Sequence, residues 1–335
     1  MHMIFNKWYM PQGNTSADSY PGLNAAKGLL IIMVIFTHCL PNSMLLFFNY
    51  YFHMPVFMAI SGFLLKKSVF KNGLRSYLEK VLHRLVVPWL LACCIYLPFQ
   101  LGTRSVTDIT LTDFLYPYYH LWYIPAYIIA AVLCYGICRF KLRPRSFLLF
   151  TALVTAVWYV LFRDKGTPVS DQPFYYLGEK RYYAYTFFFL LGFCLRNNLI
   201  QVALSPLLLV ASVVTSFALI VVTFYTHQPD TLTVILYLLF NTSLVLLLLL
   251  FISRQNWLQY KFLLLVNKQS LGVYLYHPFI IFSIYQLVGH PDRENITNLQ
   301  GFAVGFVVIA IIMPFIWLVK KWDLSGKIIL GIVKK

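Results

Sequence analysis

Charge is scarce in this chain, and acidic charge scarcest. Only 11% of its 335 residues are Asp, Glu, Lys or Arg, where a soluble globular domain carries about a quarter. That excludes an ordinary soluble domain. All eleven acids (Asp18, Glu79, Asp108, Asp113, Asp164, Asp171, Glu179, Asp230, Asp292, Glu294 and Asp323) lie between the apolar runs or at their edges. A proton-coupled transporter usually carries a carboxylate within the bilayer, so that function is disfavoured. Low-complexity tracts, internal repeats and composition breaks are also lacking, which leaves no sign of a separate soluble domain. The six cysteines all fall in or at the ends of apolar runs, which argues against a disulfide framework and for small core-filling side chains. The first 21 residues hold one Lys and no short apolar core. No cleavable signal peptide is expected, and the first apolar run must itself direct insertion.

What is abundant is apolar length. Hydrophobic residues make up 60% of the chain, and a run of roughly 20 such residues crosses about 30 Å of hydrocarbon. Ten runs qualify, at 24–41, 44–65, 85–101, 118–138, 146–162, 182–195, 205–225, 231–252, 268–288 and 300–319, the sixth being short. The expected fold is an all-α integral membrane protein, a bundle of about ten transmembrane helices.

The net charge of +16 raises nucleic acid as a partner, but its distribution points to a lipid bilayer instead. The linker at 66–84 holds Lys66, Lys67, Lys71, Arg75, Lys80 and Arg84, whereas the one before the second run has no basic residue. Carried through the chain, this alternation puts twenty Lys and Arg on one side and six on the other, with Lys27 inside the first run. The positive-inside rule makes the richer side cytoplasmic, with both termini on it. The 66–84 linker reads as a basic helix broken at Asn72-Gly73, and 163–181 as an outer loop.

Ionisable groups inside a bilayer are costly and therefore functional candidates. In "KGLLIIMVIFTHC", Lys27 and His38 are eleven residues apart, about three helical turns, which sets them on one face roughly 16 Å apart along the axis. Lys27 lies at the cytoplasmic end and His38 toward the outer side. His53, His120 and His277 reach similar depth on three other runs. A metal site is set aside, because no two of them have ligand spacing within one helix and no acid or thiolate joins them in a recognisable motif. A carboxylate orienting His38 would have to come from an outer loop, with Asp113 and Glu179 the nearest. Lys80 and Arg84 are four apart and suit phosphate oxygens, although flanking positive charge alone explains them too.

At these residues the sequence resembles membrane-bound acyltransferase family 3, and within it the sugar O-acetyltransferases labelled fucose 4-O-acetylase-like. "AKGLLIIMVIFTHC" carries the family's pattern of a basic residue, a ten-residue gap and a histidine. "FHMPVFMAISGFLLKK", "HLWYIPAY" and "SLGVYLYHPFIIF" resemble three further signatures, in order from residue 24 to about 288. The resemblance implies a single membrane acyltransferase domain over 1–335, with a polar segment at 1–22 and a basic cytoplasmic tail at 320–335. It implies a multi-pass enzyme of the cell membrane that moves an acyl group, usually acetyl, from acetyl-CoA or another acyl-CoA to a hydroxyl of an envelope glycan or lipid-linked sugar. His38 corresponds to the family's essential histidine and Lys27 to its basic partner. The family's Arg-x-x-Arg pair is here "KVLHR", so Arg84 and Lys80 carry over as donor-binding residues. His53, Ser61, His120, Trp122, Tyr274 and His277 are expected to line the substrate pocket, with Tyr274, Trp122 or Ser61 as oxyanion donor. No metal cofactor is expected. A transporter or flippase for a glycan or lipid-linked sugar is the alternative, with the same histidines as pore lining.

Overall fold

A computed structural model describes residues 20–101, 105–162, 175–226, 230–253, 255, 260–289 and 295–332. The expected residues Lys7, Arg104, Arg163, Lys165, Arg254, Arg293, Lys334 and Lys335 and most of the 163–181 loop lie outside them. The described residues are mostly helical, with no strand among them.

In chain order the helices are α1 (Pro21–Cys39), α2 (Met44–Leu64), α3 (Gly73–Val81), α4 (Val87–Leu101), α5 (Leu111–Leu115), α6 (Tyr123–Arg139), α7 (Pro144–Phe162), α8 (Arg181–Ala184), α9 (Thr186–Arg196), α10 (Pro206–Thr226), α11 (Asp230–Leu247), α12 (Lys261–Lys268), α13 (Ser270–Leu287), α14 (Asn298–Val319) and α15 (Asp323–Leu330). Each of the ten apolar runs is helical over most of its length. Six of the helices are long and apolar enough to cross a membrane.

Three boundaries differ from the sequence reading. The third run begins earlier: α3 starts at Gly73, just past the predicted break, and continues through a π-helical turn (Leu82–Val86) into α4. The fourth begins later, because Tyr119 takes a left-handed φ of 51° and the helix opens only at Tyr123. His120 and Trp122 thus sit in a turn rather than on a helix. The sixth divides at Tyr185 into α8 and α9, the latter of 11 residues.

The short α9 is held by close packing against α2. A Cβ on Gly62 would sit 1.9 Å from the Phe189 carbonyl oxygen, and one on Gly192 would sit 2.0 Å from that of Ala59. Each helix therefore lays its backbone against a glycine of the other, the small-residue contact that substitutes for a hydrophobic driving force between helices in lipid. Phe63, Phe189 and Phe193 are fully buried along this seam.

The outward faces of α10 and α14 are apolar and uncovered. Leu207, Val214 and Val222 on α10, and Phe306, Val307 and Ile311 on α14, are all exposed. Such continuous apolar faces suit contact with acyl chains. Four cysteines are buried in the core; Cys138 is half-buried, and Cys94 departs from the expectation by facing outward from α4.

Candidate active site

Two prolines decide where polar groups appear inside the bundle. A proline has no N–H to give to the carbonyl four residues back. Pro55 in α2 leaves the Tyr51 carbonyl open, and Asn241 of α11 donates to it at 3.1 Å. Pro278 in α13 does the same for Tyr274, whose carbonyl accepts from His277 Nδ1 at 3.1 Å, while Val273 O accepts from the same nitrogen at 2.7 Å. One residue on, the Tyr96 hydroxyl bridges the Phe279 N–H and the Leu275 carbonyl. It accepts from Phe279 at 3.0 Å and donates to Leu275 O at 3.1 Å. The same Leu275 carbonyl takes His120 Nε2 at 3.3 Å.

The opened turn of α13 thereby gathers three histidines from distant parts of the chain. Ring centroids of His38 and His277 are 5.2 Å apart, those of His120 and His277 5.3 Å, and those of His38 and His120 6.3 Å. Carbonyl oxygens only accept, so the nitrogens that touch them, His120 Nε2 and His277 Nδ1, carry the hydrogen in the neutral rings. The lone pairs then lie on His120 Nδ1 and His277 Nε2, and both atoms are buried without a protein partner. A buried polar atom in that condition calls for an explanation, and a bound donor group is one. His38, half-buried at the end of α1, meets the hydroxyl of Tyr119 through Nδ1 at 2.9 Å.

Below this cluster is a cavity of about 430 Å³. Lys27, Lys80 and Arg84 line it together with Ser61, Tyr123, Tyr127 and Tyr274, and no acidic side chain joins them among the described residues. Lys27 Nζ lies 5.8 Å from the centre of the Phe57 ring. Tyr274 separates cavity from cluster. Its ring packs between Tyr123 and His120, and its hydroxyl donates to the His120 carbonyl at 2.8 Å. Lys80 and Arg84 both reach the cavity even though the π-helical turn begins between them.

Of the ten residues singled out in the sequence, three histidines meet in the cluster and Lys27, Ser61, Lys80, Arg84 and Tyr274 line the cavity. Two stand elsewhere. The Nδ1 of His53 donates to the Asn49 carbonyl, and its ring lies against Tyr50, so the helix backbone of α2 holds it away from the cavity. Trp122 stacks on Tyr185 at 5.4 Å with the Arg181 guanidinium over its ring at 5.2 Å. Ser61 donates to Phe57 O at 2.9 Å, which makes Tyr123 the donor in their 2.7 Å contact. With the Tyr274 and Ser61 hydrogens both engaged, neither is free to stabilise an oxyanion as expected.

The expected carboxylates also have other work. Glu179 accepts from Arg181 Nε at 3.0 Å, and Asp113 caps α5 through the Thr110 N–H and hydroxyl. Tyr119 and Tyr96 were not found from sequence. The aromatic run "YPYYHLWY" holds one of them, but nothing local marks Tyr96 as the residue that fills the opened turn of α13.

A family model described as an acyltransferase domain matches residues 20–318. No curated protein and no solved structure matches the chain.

Proposed function

The chain belongs to acyltransferase family 3 and is a multi-pass membrane acyltransferase; on that premise we propose that it carries an acyl group, acetyl in the first instance, from cytoplasmic acyl-CoA to a hydroxyl of an envelope glycan or lipid-linked sugar. The observation that carries this reading is the juxtaposition of a cavity with three cations, suited to a phosphate-bearing donor, with three histidines beyond Tyr274. In this reading the ten apolar runs are spans of a cell membrane and both termini are cytoplasmic, so that the cavity opens on the donor's side and the histidines lie deeper, where an acceptor enters from outside.

In the proposed step the acceptor hydroxyl gives its proton to His38 as its oxygen attacks the thioester carbonyl. The tetrahedral intermediate collapses with loss of the C–S bond, and the departing thiolate takes the proton back from the imidazolium. His120 Nδ1 and His277 Nε2 are lone pairs awaiting donors. They orient the acceptor's hydroxyls before the step, and their rings stand beside the imidazolium that His38 becomes. Lys27, Lys80 and Arg84 bind the donor, Lys80 and Arg84 through its phosphates.

The test is reconstitution in lipid nanodiscs with acetyl-CoA labelled in the acetyl group, together with mass analysis of surface glycans from cells with and without the gene. An acetyl increment on a glycan that is lost with the gene, and CoA release that depends on His38, support the proposal. Unaltered glycans and no thioester turnover overturn it.

A further inference from the structure

The segment expected to be a basic tail instead folds back on the bundle. Residues Asp323–Leu330 form α15, whose Leu330 is buried and whose Ile329 carbonyl accepts from the Tyr276 hydroxyl of α13 at 3.0 Å. The chain leaves α15 through Gly331 at a φ of 63°, and a Cβ there would sit 2.0 Å from the Arg84 carbonyl oxygen. Only glycine combines that left-handed turn with that approach. The end of α15 is thus seated on the π-helical turn that presents His83 and Arg84.

Between α15, α3 and that turn lies a second cavity, of about 660 Å³, lined by Lys80, His83, Arg84 and Lys327, with Ser76 and Glu79 as its other polar residues. Glu79 is bonded to Arg75 at 3.1 Å. Lys80 and Arg84 line this cavity and the inner one alike. Lys27 belongs to the inner cavity only, and Lys327 to the outer only.

We propose that the two cavities form one extended donor site in which α15 supplies the far end, Lys327 binding the 3′-phosphate monoester of the donor's nucleotide while Lys80 and Arg84, at the junction, bind its diphosphate. This rests on the acyl-CoA reading above. The geometry favours a ligand with phosphate at two separate places and a long thioester arm, because cations stand both at the junction and beyond it, while the inner cavity leads toward the histidines. His83 lines the same cavity and adds a further hydrogen-bond donor. Lys327 contributes to binding and has no part in the chemical step.

The test compares two donors, acetyl-CoA and the same thioester lacking the 3′-phosphate, on the full-length protein in nanodiscs. In the unaltered protein the donor without that phosphate should show a KM roughly tenfold higher, the scale of one charge-assisted contact. In Lys327→Gln the two donors should converge on the higher value, and Lys327→Arg should restore the difference. If the unaltered protein uses both donors and Lys327→Gln leaves their ratio intact, the α15 assignment falls and the acyl-CoA reading stands. If Lys327→Gln weakens both donors equally, and only in nanodiscs containing anionic lipid, the cavity holds a lipid headgroup and the assignment is overturned. If the unaltered protein transfers from neither donor, both readings fall together.

Discussion

Tyr119 and His38 are joined side chain to side chain across 81 residues of sequence, hydroxyl to Nδ1 at 2.9 Å, and the tyrosine holds a left-handed φ of 51°. A bulky residue in that region costs of order 1–3 kcal/mol and persists where the surroundings enforce it. In the proposed step Tyr119 is therefore a positioning residue for the base. Tyr119→Phe keeps the ring and removes the hydroxyl. Turnover should fall by about tenfold, from the loss of one hydrogen bond, while the KM for the donor stays unchanged. Steady-state kinetics separates this from a merely structural role, in which expression and both constants would decline together.

His38→Ala and His38→Gln should each insert and express normally, because removing an ionisable group from the bilayer lowers the cost of insertion. Each should lower acyl transfer by at least about a hundredfold. Retention of near-normal turnover by His38→Gln in purified protein would make His38 a structural residue.

His277 and His53 separate two readings of a membrane histidine. Both donate through Nδ1 to a carbonyl of their own helix, but only His277 stands in the cluster. His277→Gln should reduce turnover by about tenfold to a hundredfold, the scale of one hydrogen bond to a charged group. His53→Gln, whose amide still reaches a backbone carbonyl, should keep turnover close to that of the unaltered protein. Equal losses in both would assign them a shared structural role.

Gly192→Ala tests the seam that seats α9. Its Cβ would meet the Ala59 carbonyl oxygen at 2.0 Å, so the helices must part, at about 1–3 kcal/mol for an overpacked contact. Gly136→Ala is the control, since nothing lies within 4 Å of a Cβ there, and a helical Gly→Ala change is expected to stabilise by about 0.5–1 kcal/mol. Thermal unfolding in detergent should move down for the first and not for the second.

The proposed orientation is tested by single cysteines in a background without the native six. Position 71 should react with an impermeant reagent only after the membrane is opened. Labelling of that position in intact cells would reverse the orientation and the direction of transfer.

Sequence by itself determined that this is a helical membrane protein and which residues are costly enough to matter. Run length sets the helices, the scarcity of charge makes each buried ionisable residue visible, and the eleven-residue spacing puts Lys27 and His38 on one face of α1. The family signatures, each within one short stretch, were legible for the same reason: they are local. Tertiary structure alone decided which helices meet. Lipid and a neighbouring helix are equally apolar, so an apolar pattern does not say which of the two a helix face will touch. Hence the sequence did not reveal that His53 turns to its own backbone while His38, His120 and His277 converge. Nor did it show that Tyr119 meets His38, or that Tyr96 fills the turn that Pro278 opens in α13. The basic segment after residue 320 read as a solvated tail because its charge is local and its partner is not; the glycine that seats it, Gly331, rests on a carbonyl nearly 250 residues earlier in the chain.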